Sequence, residues 1–87
     1  MPRVARRVTR VTLYSRPGCH LCDDMKAVVS RVARTISMTI EEVDISGDPE
    51  LEKLYDLEIP VLMIDGKKAA KIRVTEDALR RLIVGRR

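Results

Sequence analysis

The chain has 87 residues, enough for one small domain but not two, and its 45% hydrophobic and 34% charged residues are typical of a folded protein. No apolar run approaches the roughly 20 residues that cross a bilayer, and two tyrosines without Phe or Trp do not provide the aromatic platforms of single-strand nucleic-acid binders. The net charge of +4 comes mainly from arginines near the two ends, which predicts solvated termini rather than a basic face for nucleic acid.

We predict a single domain over residues 1–87, in which residues 1–7 form a basic and flexible extension. Arginines at positions 3, 6, 7, 10, 86 and 87 account for the positive charge. Without these six, eleven basic residues face thirteen acidic ones, so the body of the chain is slightly acidic. The first residues lack the continuous apolar stretch of a secretory signal, and the cytoplasm is therefore the expected location. We expect a monomer that binds neither nucleic acid nor a membrane.

The first half of the chain predicts a strand, a helix, a second strand and a short helix. Residues 8–14 are rich in β-branched types, and apolar and polar side chains alternate loosely along them, as in a strand. Apolar residues then recur at helical spacing up to position 36, and residues 38–45 form the second predicted strand. Asp48 is placed to cap the next helix, with Pro49 in its first turn. The stripe predicted to be buried on that short helix consists of Leu51, Leu54 and Tyr55.

The second half predicts a β-hairpin and a last helix. Residues 61–64 are an uninterrupted apolar run, typical of a central strand that is buried on both faces. Asp65 and Gly66 both tolerate the positive φ of a type I′ turn, and the returning strand is predicted to run to about residue 74. Thr75 is placed to cap the last helix. The order β-α-β-α-β-β-α predicts an α/β fold of thioredoxin-like order, with a four-stranded mixed sheet and helices on both faces.

The only two cysteines, Cys19 and Cys22, follow the first predicted strand at the start of the first helix. At this spacing their side chains share one face of a helical turn and can form a disulfide. The helix N-terminus favours a thiolate at Cys19 and lowers its pKa from about 8.5, and Arg16 and His20 can add to this effect. Cys22 lies one turn further in, before two aspartates, and should ionise less readily. The pair therefore fits an attacking thiol at Cys19 and a resolving thiol at Cys22.

Three other uses of the cysteine pair remain open. A structural disulfide would close a ring of only about four residues and gain little stability. A structural zinc ion needs four ligands, and one chain offers only the two cysteines and His20, so we assign no metal ligand. The two thiols could also be buried and inert. A Cys-x-x-Cys pair directly after a strand of a βαβ pattern nevertheless favours redox chemistry.

The residues around this pair resemble those of a known family. The small glutaredoxin-like proteins of the thioredoxin superfamily have stretches similar to Tyr14-Ser15-Arg16-Pro17-Gly18-Cys19-His20-Leu21-Cys22, Ile59-Pro60-Val61-Leu62 and Asp65-Gly66. The Cys-His-Leu-Cys motif resembles a subgroup of them, and the resemblance covers residues 8–84. It implies that Cys19 attacks and Cys22 resolves the mixed disulfide. It also implies a cis bond before Pro60, where the backbone of Ile59 pairs with a peptide or thiol substrate.

Two departures from the family pattern bear on the substrate. His-Leu stands between the cysteines where glutaredoxins usually carry Pro-Tyr, and Arg73-Val74 stands where they carry the Gly-Gly pair that approaches glutathione closely. Glutathione is therefore expected as a possible reductant that binds weakly. The site that the resemblance implies for substrate consists of Arg16, His20, Ile59, Pro60, Thr75, Glu76 and Asp77.

Three functions are compatible with these residues. The first is a thiol-disulfide oxidoreductase or redox carrier, with no bound cofactor, that exchanges its dithiol with a thiol or with a disulfide-bonded peptide or protein. The second is a non-enzymatic adaptor that binds a partner at the edge near Ile59 and Pro60, and the third is metal or iron–sulfur handling by two chains. His20 either stabilises the Cys19 thiolate or is a plain exposed residue, and Tyr14 is expected to pack near the site rather than act as an acid.

Overall fold

The computed structural model describes residues 8–85, in which strands and helices follow one another in the predicted order. The strands are β1 (Thr9–Ser15), β2 (Met38–Asp44), β3 (Val61–Ile64) and β4 (Lys67–Lys71), and the helices are α1 (His20–Val32), α2 (Pro49–Tyr55) and α3 (Glu76–Val84). The basic extension predicted over residues 1–7 lies outside the described residues. Within the described range, no helix is long and apolar enough to cross a membrane.

One mixed sheet of four strands, in the order β2-β1-β3-β4, organises the chain. β1 and β2 are parallel neighbours joined by α1, as predicted, because parallel strands need a crossover connection of this kind. β3 runs antiparallel to β1 and forms a hairpin with β4. The turn of that hairpin has a φ of 50° at Asp65 and 85° at Gly66, the two positive values that the Asp-Gly pair predicts.

One face of the sheet carries the hydrophobic core beneath α1 and α3. Side chains alternate along β1, so Val11 and Leu13 point to this face, where Leu13 is paired with Leu62 of β3. The core cluster consists of Val11, Leu13, Met25, Val29, Val32, Leu62, Ile64, Leu79 and Ile83, all with at most 1% exposure. Packing of α1 through this cluster fixes the position of its N-terminus, where the cysteines lie.

The opposite face of the sheet is covered by the short helix α2, which Asp48 caps as predicted. Tyr55 at the end of α2 stacks on Tyr14 of β1, with the ring centroids 4.7 Å apart. The buried stripe predicted for α2 is wrong: Leu54 is 62% exposed, and Leu51 and Tyr55 are only half-buried. The reason is the length of the helix, since two turns cover too little of the sheet to bury three large side chains.

β4 ends at Lys71, three residues before the end predicted for the returning strand. Ile72 has a φ of 69°, a left-handed conformation that breaks the extended strand. Its N–H donates to the carbonyl of Pro60 at 2.7 Å, and the N–H of Arg73 donates to the carbonyl of Lys71 at 2.7 Å. The chain therefore turns early towards α3, whose N-terminus is capped by the side chain of Thr75, as predicted.

Candidate dithiol site

The structure gathers the predicted site at one end of the sheet. β1 ends a short loop before Cys19, which lies at the N-terminus of α1. β3 starts beside this end of β1, because the two strands are antiparallel and Val61 is paired with Tyr14. β4 returns to the same end, where Lys71 is paired with Val61. The sheet thus brings together the dithiol, the segment that precedes β3 and the loop that leads into α3.

The two cysteines form a disulfide across the first turn of α1, with their Cα atoms 5.2 Å apart. Cys19 is the N-cap residue of the helix, and the backbone N–H of Cys22 donates to its Sγ atom at 3.1 Å. Gly18 precedes it with a φ of 79°, which glycine adopts without strain where the chain turns from β1 into α1. The sulfur of Cys19 therefore occupies the position at which a helix N-terminus stabilises negative charge.

The two cysteines differ in their exposure. Cys19 is half-buried, whereas Cys22 is only 3% exposed. Exchange requires the attacking sulfur to reach a sulfur of the partner, so access decides which thiol reacts first. The arrangement makes Cys19 the cysteine that a partner can reach, with Cys22 behind it.

A polar cleft of about 310 Å³ lies beside Cys22. Three carboxylates line it, from Asp23, Glu42 and Asp44, together with Arg16, whose guanidinium is paired with Asp56 outside the cleft. Negative charge near a sulfur disfavours its thiolate form, and burial has the same effect. The cleft and the burial of Cys22 therefore both favour the protonated thiol at the inner position.

Glu42 and Asp44 are acidic members of this cleft that sequence reasoning missed, and Glu42 has the larger set of contacts. The Ser15 hydroxyl donates to its carboxylate at 3.1 Å, and the ammonium of Lys26 pairs with it at 2.9 Å. The hydrogen bond from Lys26 is the main cause that holds the pKa of Glu42 below its usual value, and Glu42 in turn raises the pKa of Lys26. The sequence signal for this pair was the position of Lys26, which follows Cys22 by four residues and so lies on the same face of the predicted helix. A basic residue there could have indicated an acidic partner near Cys22.

Arg16 takes a different partner from the one predicted. Its guanidinium pairs with the carboxylate of Asp56, at the end of α2. It also lies close enough to Asp44 to help lower the pKa of that carboxyl, although hydrogen bonds from Ser46 are the larger cause. Among the described residues no hydrogen bond or ion pair joins Arg16 to Cys19, and its support of the Cys19 thiolate stays a prediction.

His20 is the first residue of α1 and is exposed. Its imidazole makes no hydrogen bond or ion pair with any residue between positions 8 and 85, and it is open to a partner that reaches Cys19. Tyr14 packs against Tyr55 near the site, as expected for a structural residue. In the part of the chain that the structure describes, no group of three or more His, Cys, Asp or Glu residues could hold a metal ion.

The Ile59–Pro60 peptide bond is cis, as the resemblance implies. Pro60 is buried, and Ile59 is half-buried at the start of the segment that enters β3. The N–H of Ile59 already donates to the carbonyl of Tyr55 at 3.1 Å, which leaves the carbonyl as the backbone group of Ile59 for a substrate to use. The carbonyl of Pro60 accepts the N–H of Ile72 and so links this segment to the loop before α3.

The predicted substrate residues at the start of α3 are largely engaged within the protein. The Thr75 hydroxyl accepts the N–H of Ala78 at 3.1 Å as the helix cap. Glu76 pairs with Arg31 of α1 at 2.5 Å, which ties α3 to α1. Asp77 is exposed in the first turn. Of the three side chains, only that of Asp77 is left for a ligand without breaking a contact within the described residues.

Comparison with known proteins agrees with this fold. The model of the family described as "Glutaredoxin-like domain (DUF836)" matches residues 10–84. A glutaredoxin-like protein of Dictyostelium discoideum is 38% identical over an alignment of 77 residues, and the match covers 79% of this chain and 69% of that protein.

Solved structures place the fold in the same class. An NMR structure of a protein from Nitrosomonas europaea superposes with a TM-score of 0.77 at 25% identity, covering 91% of this chain and 95% of that one. An X-ray structure of a protein from X. campestris superposes with a TM-score of 0.75 at 32% identity, covering 86% of this chain and 96% of that one. Chloroplastic thioredoxin z superposes with a TM-score of 0.71 at 16% identity, covering 93% of this chain and 79% of that one. At this identity the likeness is evidence for the fold alone. The predicted thioredoxin-like fold is confirmed.

Proposed function

The chain belongs to the family of glutaredoxin-like domains of the thioredoxin superfamily, and on that premise we propose that it is a thiol-disulfide oxidoreductase or redox carrier. The observation that carries the proposal is the hydrogen bond from the N–H of Cys22 to the sulfur of Cys19, at the start of a helix. A backbone donor and a helix N-terminus that both face one sulfur favour its thiolate, which is the reactive form of cysteine. Cys19 is therefore the attacking residue and Cys22 the resolving one.

The reaction proceeds in two exchanges. The Cys19 thiolate attacks one sulfur of a client disulfide, the client S–S bond breaks, and the departing client thiolate takes a proton from solvent. Cys22 then loses its proton and attacks the sulfur of Cys19, which releases the second client sulfur as a thiolate. Two electrons have passed from the protein to the client, and the Cys19–Cys22 disulfide seen in the structure is the product. A thiol reductant, for which glutathione is a candidate, restores the dithiol by the reverse exchange.

The acidic cleft beside Cys22 gives the two thiols an order of reaction. Its carboxylates and the burial of Cys22 favour the protonated inner thiol in the reduced protein. Glu42 is ionised at neutral pH, as glutamates are, and Lys26 and Ser15 lower its pKa further. Only Cys19 is then a nucleophile before the client arrives, and Cys22 ionises when the mixed disulfide offers it a sulfur to attack.

The contacts around the site favour a peptide or protein client over glutathione. Arg16 is paired with Asp56, and Glu76 is paired with Arg31, so neither charge is available without breaking an ion pair. Arg73 brings a side chain to the position at which the family offers bare backbone. The carbonyl of Ile59 can accept an N–H of an extended polypeptide, as in strand addition at an exposed edge.

The experiment is the reduction of a disulfide-bonded protein, such as insulin, with dithiothreitol as the final reductant. We expect the wild type to accelerate the reaction, the Cys19→Ser variant to be inactive, and the Cys22→Ser variant to stop at the mixed disulfide. The Ser37→Cys variant of the Cys19→Ser protein is a matched control, because it restores the thiol count at an exposed position outside the site. If the wild type and Cys19→Ser reduce the protein equally slowly while a partner still binds to both, the chain is an adaptor and the proposal is wrong.

A further inference from the structure

We propose that the outer edge of β2 binds an extended basic segment of a partner polypeptide, which adds a fifth strand to the sheet. β2 is the first strand in the order β2-β1-β3-β4, so within the described residues it has a strand neighbour on one side only. Five of its seven residues are exposed, among them Ile40, with 43% exposure. Neither cysteine belongs to this edge, so binding there is independent of the proposed function.

The pairing of β2 with β1 shows which backbone groups of β2 face outward. Ser15 of β1 is paired with Asp44, and its carbonyl accepts the N–H of Ile45 at 2.9 Å. At the other end of the strand, the N–H of Thr9 donates to the carbonyl of Ser37 at 3.4 Å. Backbone groups point alternately to the two sides of a strand, so residues 39, 41 and 43 face β1 as well. The N–H and C=O groups of residues 38, 40, 42 and 44 therefore face outward, where no other strand of the described sheet lies.

β2 lacks the features that protect the other edge of the sheet. β4 has five residues, of which three are lysines, and its pairing with β3 is shifted by an irregularity between Leu62 and Met63. Short length, lysines and bulges keep an edge strand from pairing with other chains. β2 is seven residues long, pairs with β1 in one unbroken register, and contains no lysine, proline or glycine. It is therefore the edge of the sheet at which a further strand can be added.

The charges along β2 favour a basic segment. All three charged residues of the strand are acidic, with Glu41 on the face of α2 and with Glu42 and Asp44 on the face of α1. Lys26 pairs with Glu42 at 2.9 Å, and Arg16 lies near Asp44. Glu41 is exposed and has no ion-pair partner among residues 8–85. The strand thus keeps a net negative charge, and opposite charges on neighbouring strands stabilise their pairing.

A second copy of the chain fits this edge less well. Two β2 strands paired antiparallel about their middle residue place Glu41 opposite Glu41, and like charges directly opposite each other are destabilising. β4 of a second copy is basic, but Lys68 and Lys71 already pair with Glu58. The fitting occupant is therefore a segment of another polypeptide in which Lys or Arg alternates with β-branched residues. Such a segment brings a cation to Glu41 and an apolar side chain to Ile40.

Three peptides of equal length test the edge on the full, oxidised chain. The first is Thr-Lys-Val-Arg-Val-Lys-Thr, the second has Glu at its three basic positions, and the third is the basic peptide with every backbone amide N-methylated. The third keeps the charges and side chains but cannot donate backbone hydrogen bonds. By fluorescence anisotropy at about 0.15 M salt, the first should bind about tenfold or more tightly than either of the others. In amide hydrogen exchange it should slow Ile40, Glu42 and Asp44, whereas residues 39, 41 and 43 are protected by β1 already.

Two variants of Ile40 separate backbone pairing from side-chain contact. Ile40→Pro removes an N–H that faces outward, which an edge strand tolerates, and should weaken binding of the basic peptide about tenfold. Ile40→Ala loses the same side chain but keeps the N–H, and should bind within about threefold of the wild type. Should Ile40→Pro fail to fold, Glu41→Lys decides instead: it should weaken binding of the basic peptide and strengthen that of the acidic one, each several-fold.

Three results would overturn the proposal. Equal binding of the basic peptide and its N-methylated form would mean that charge alone attracts the peptide and no strand is added. Absence of binding, or protection at amides other than those of Ile40, Glu42 and Asp44, would place no partner on this edge. If the chain self-associates without peptide and the same three amides become protected, a second copy is the occupant instead.

Discussion

Reduction of the Cys19–Cys22 disulfide should destabilise the fold only slightly. The disulfide closes a ring of four residues, and the chain-entropy relation gives about 2 kcal/mol for a loop of that length. The reduced protein recovers part of this loss if Cys19 is ionised. Its sulfur then accepts the N–H of Cys22 as a charged acceptor, worth about 1 kcal/mol more than a neutral one, and gains about 0.5 kcal/mol from the helix N-terminus. The expected difference is therefore about 2 kcal/mol at low pH, where Cys19 is protonated, and about 0.5 kcal/mol near pH 8.5, where the thiolate contribution is nearly complete.

The same reasoning fixes the sign of the pH dependence. A thiol that ionises more easily in the folded state adds stability above its unfolded pKa of about 8.5 and loses it as pH falls through its folded pKa. Only the reduced protein has this contribution, because disulfide-bonded sulfur does not titrate. The difference in unfolding free energy between the oxidised and reduced forms should therefore shrink as the pH rises from 6 to 8.5.

Urea unfolding of both forms at several pH values measures this difference. The oxidised form is kept without reductant, and the reduced form is kept in a phosphine that does not form mixed disulfides. We expect a difference below about 2 kcal/mol at every pH and the smallest value near pH 8.5. A difference above 3 kcal/mol would make the disulfide a structural one, and a difference that grows with pH would refute an ionised Cys19.

Three further predictions concern the client, glutathione and the acidic cleft. The Cys22→Ser variant should accumulate mixed disulfides with clients in a cell extract, whereas Cys19→Ser should not; equal trapping, read by mass spectrometry, would reverse the assigned roles. The kcat/KM for glutathionylated small substrates should be about ten- to a hundred-fold lower than that for a peptide disulfide, because a few neutral contacts to glutathione, worth about 1 kcal/mol each, are missing. Equal kcat/KM values for the two kinds of substrate would contradict this prediction. Because the pKa of Glu42 is lowered, its ion pair stabilises the fold above the unfolded pKa of about 4.3 and is lost as the pH falls through the folded value. In urea unfolding, Glu42→Gln should therefore lower the free energy of unfolding by at most about 0.5 kcal/mol at pH 7, a small value because the ion pair is part-exposed. Near pH 3 the same variant should not change the free energy of unfolding. An equal loss in the exposed control Glu41→Gln would contradict a special role for Glu42.

Local chemistry predicted the fold because each element carries its own signal. The spacing of apolar residues predicted the helices, Asp65-Gly66 predicted the hairpin turn, and Thr75 predicted the start of the last helix. The errors occurred where long-range geometry decides. The stripe of α2 follows a helical pattern, but the pattern does not show how little of the sheet a two-turn helix reaches, and Leu54 stays exposed.

The candidate site divides in the same way. The dithiol follows from the spacing of two cysteines along the chain, and the cis bond before Pro60 is what the family resemblance implies. The partner of Arg16 could not, because Asp56 lies 40 residues away and meets it only through the packing of α2. The acidic cleft is likewise made by residues from several elements. Burial and ion pairing of this kind depend on the register of β1 and β2 and on the approach of α3, which no local pattern contains.

The central claim is that Cys19 is the ionised, attacking thiol and Cys22 the protonated, resolving one. Its most direct test is the rate of alkylation by iodoacetamide, measured from pH 5 to 10 on Cys22→Ser, which retains Cys19, and on Cys19→Ser, which retains Cys22. Cys19 should react rapidly at neutral pH with an apparent pKa well below the 8.5 of a free thiol, and Cys22 should react slowly until alkaline pH. Equal, slow rates with ordinary thiol titration in both variants, or faster reaction at Cys22, would contradict the account.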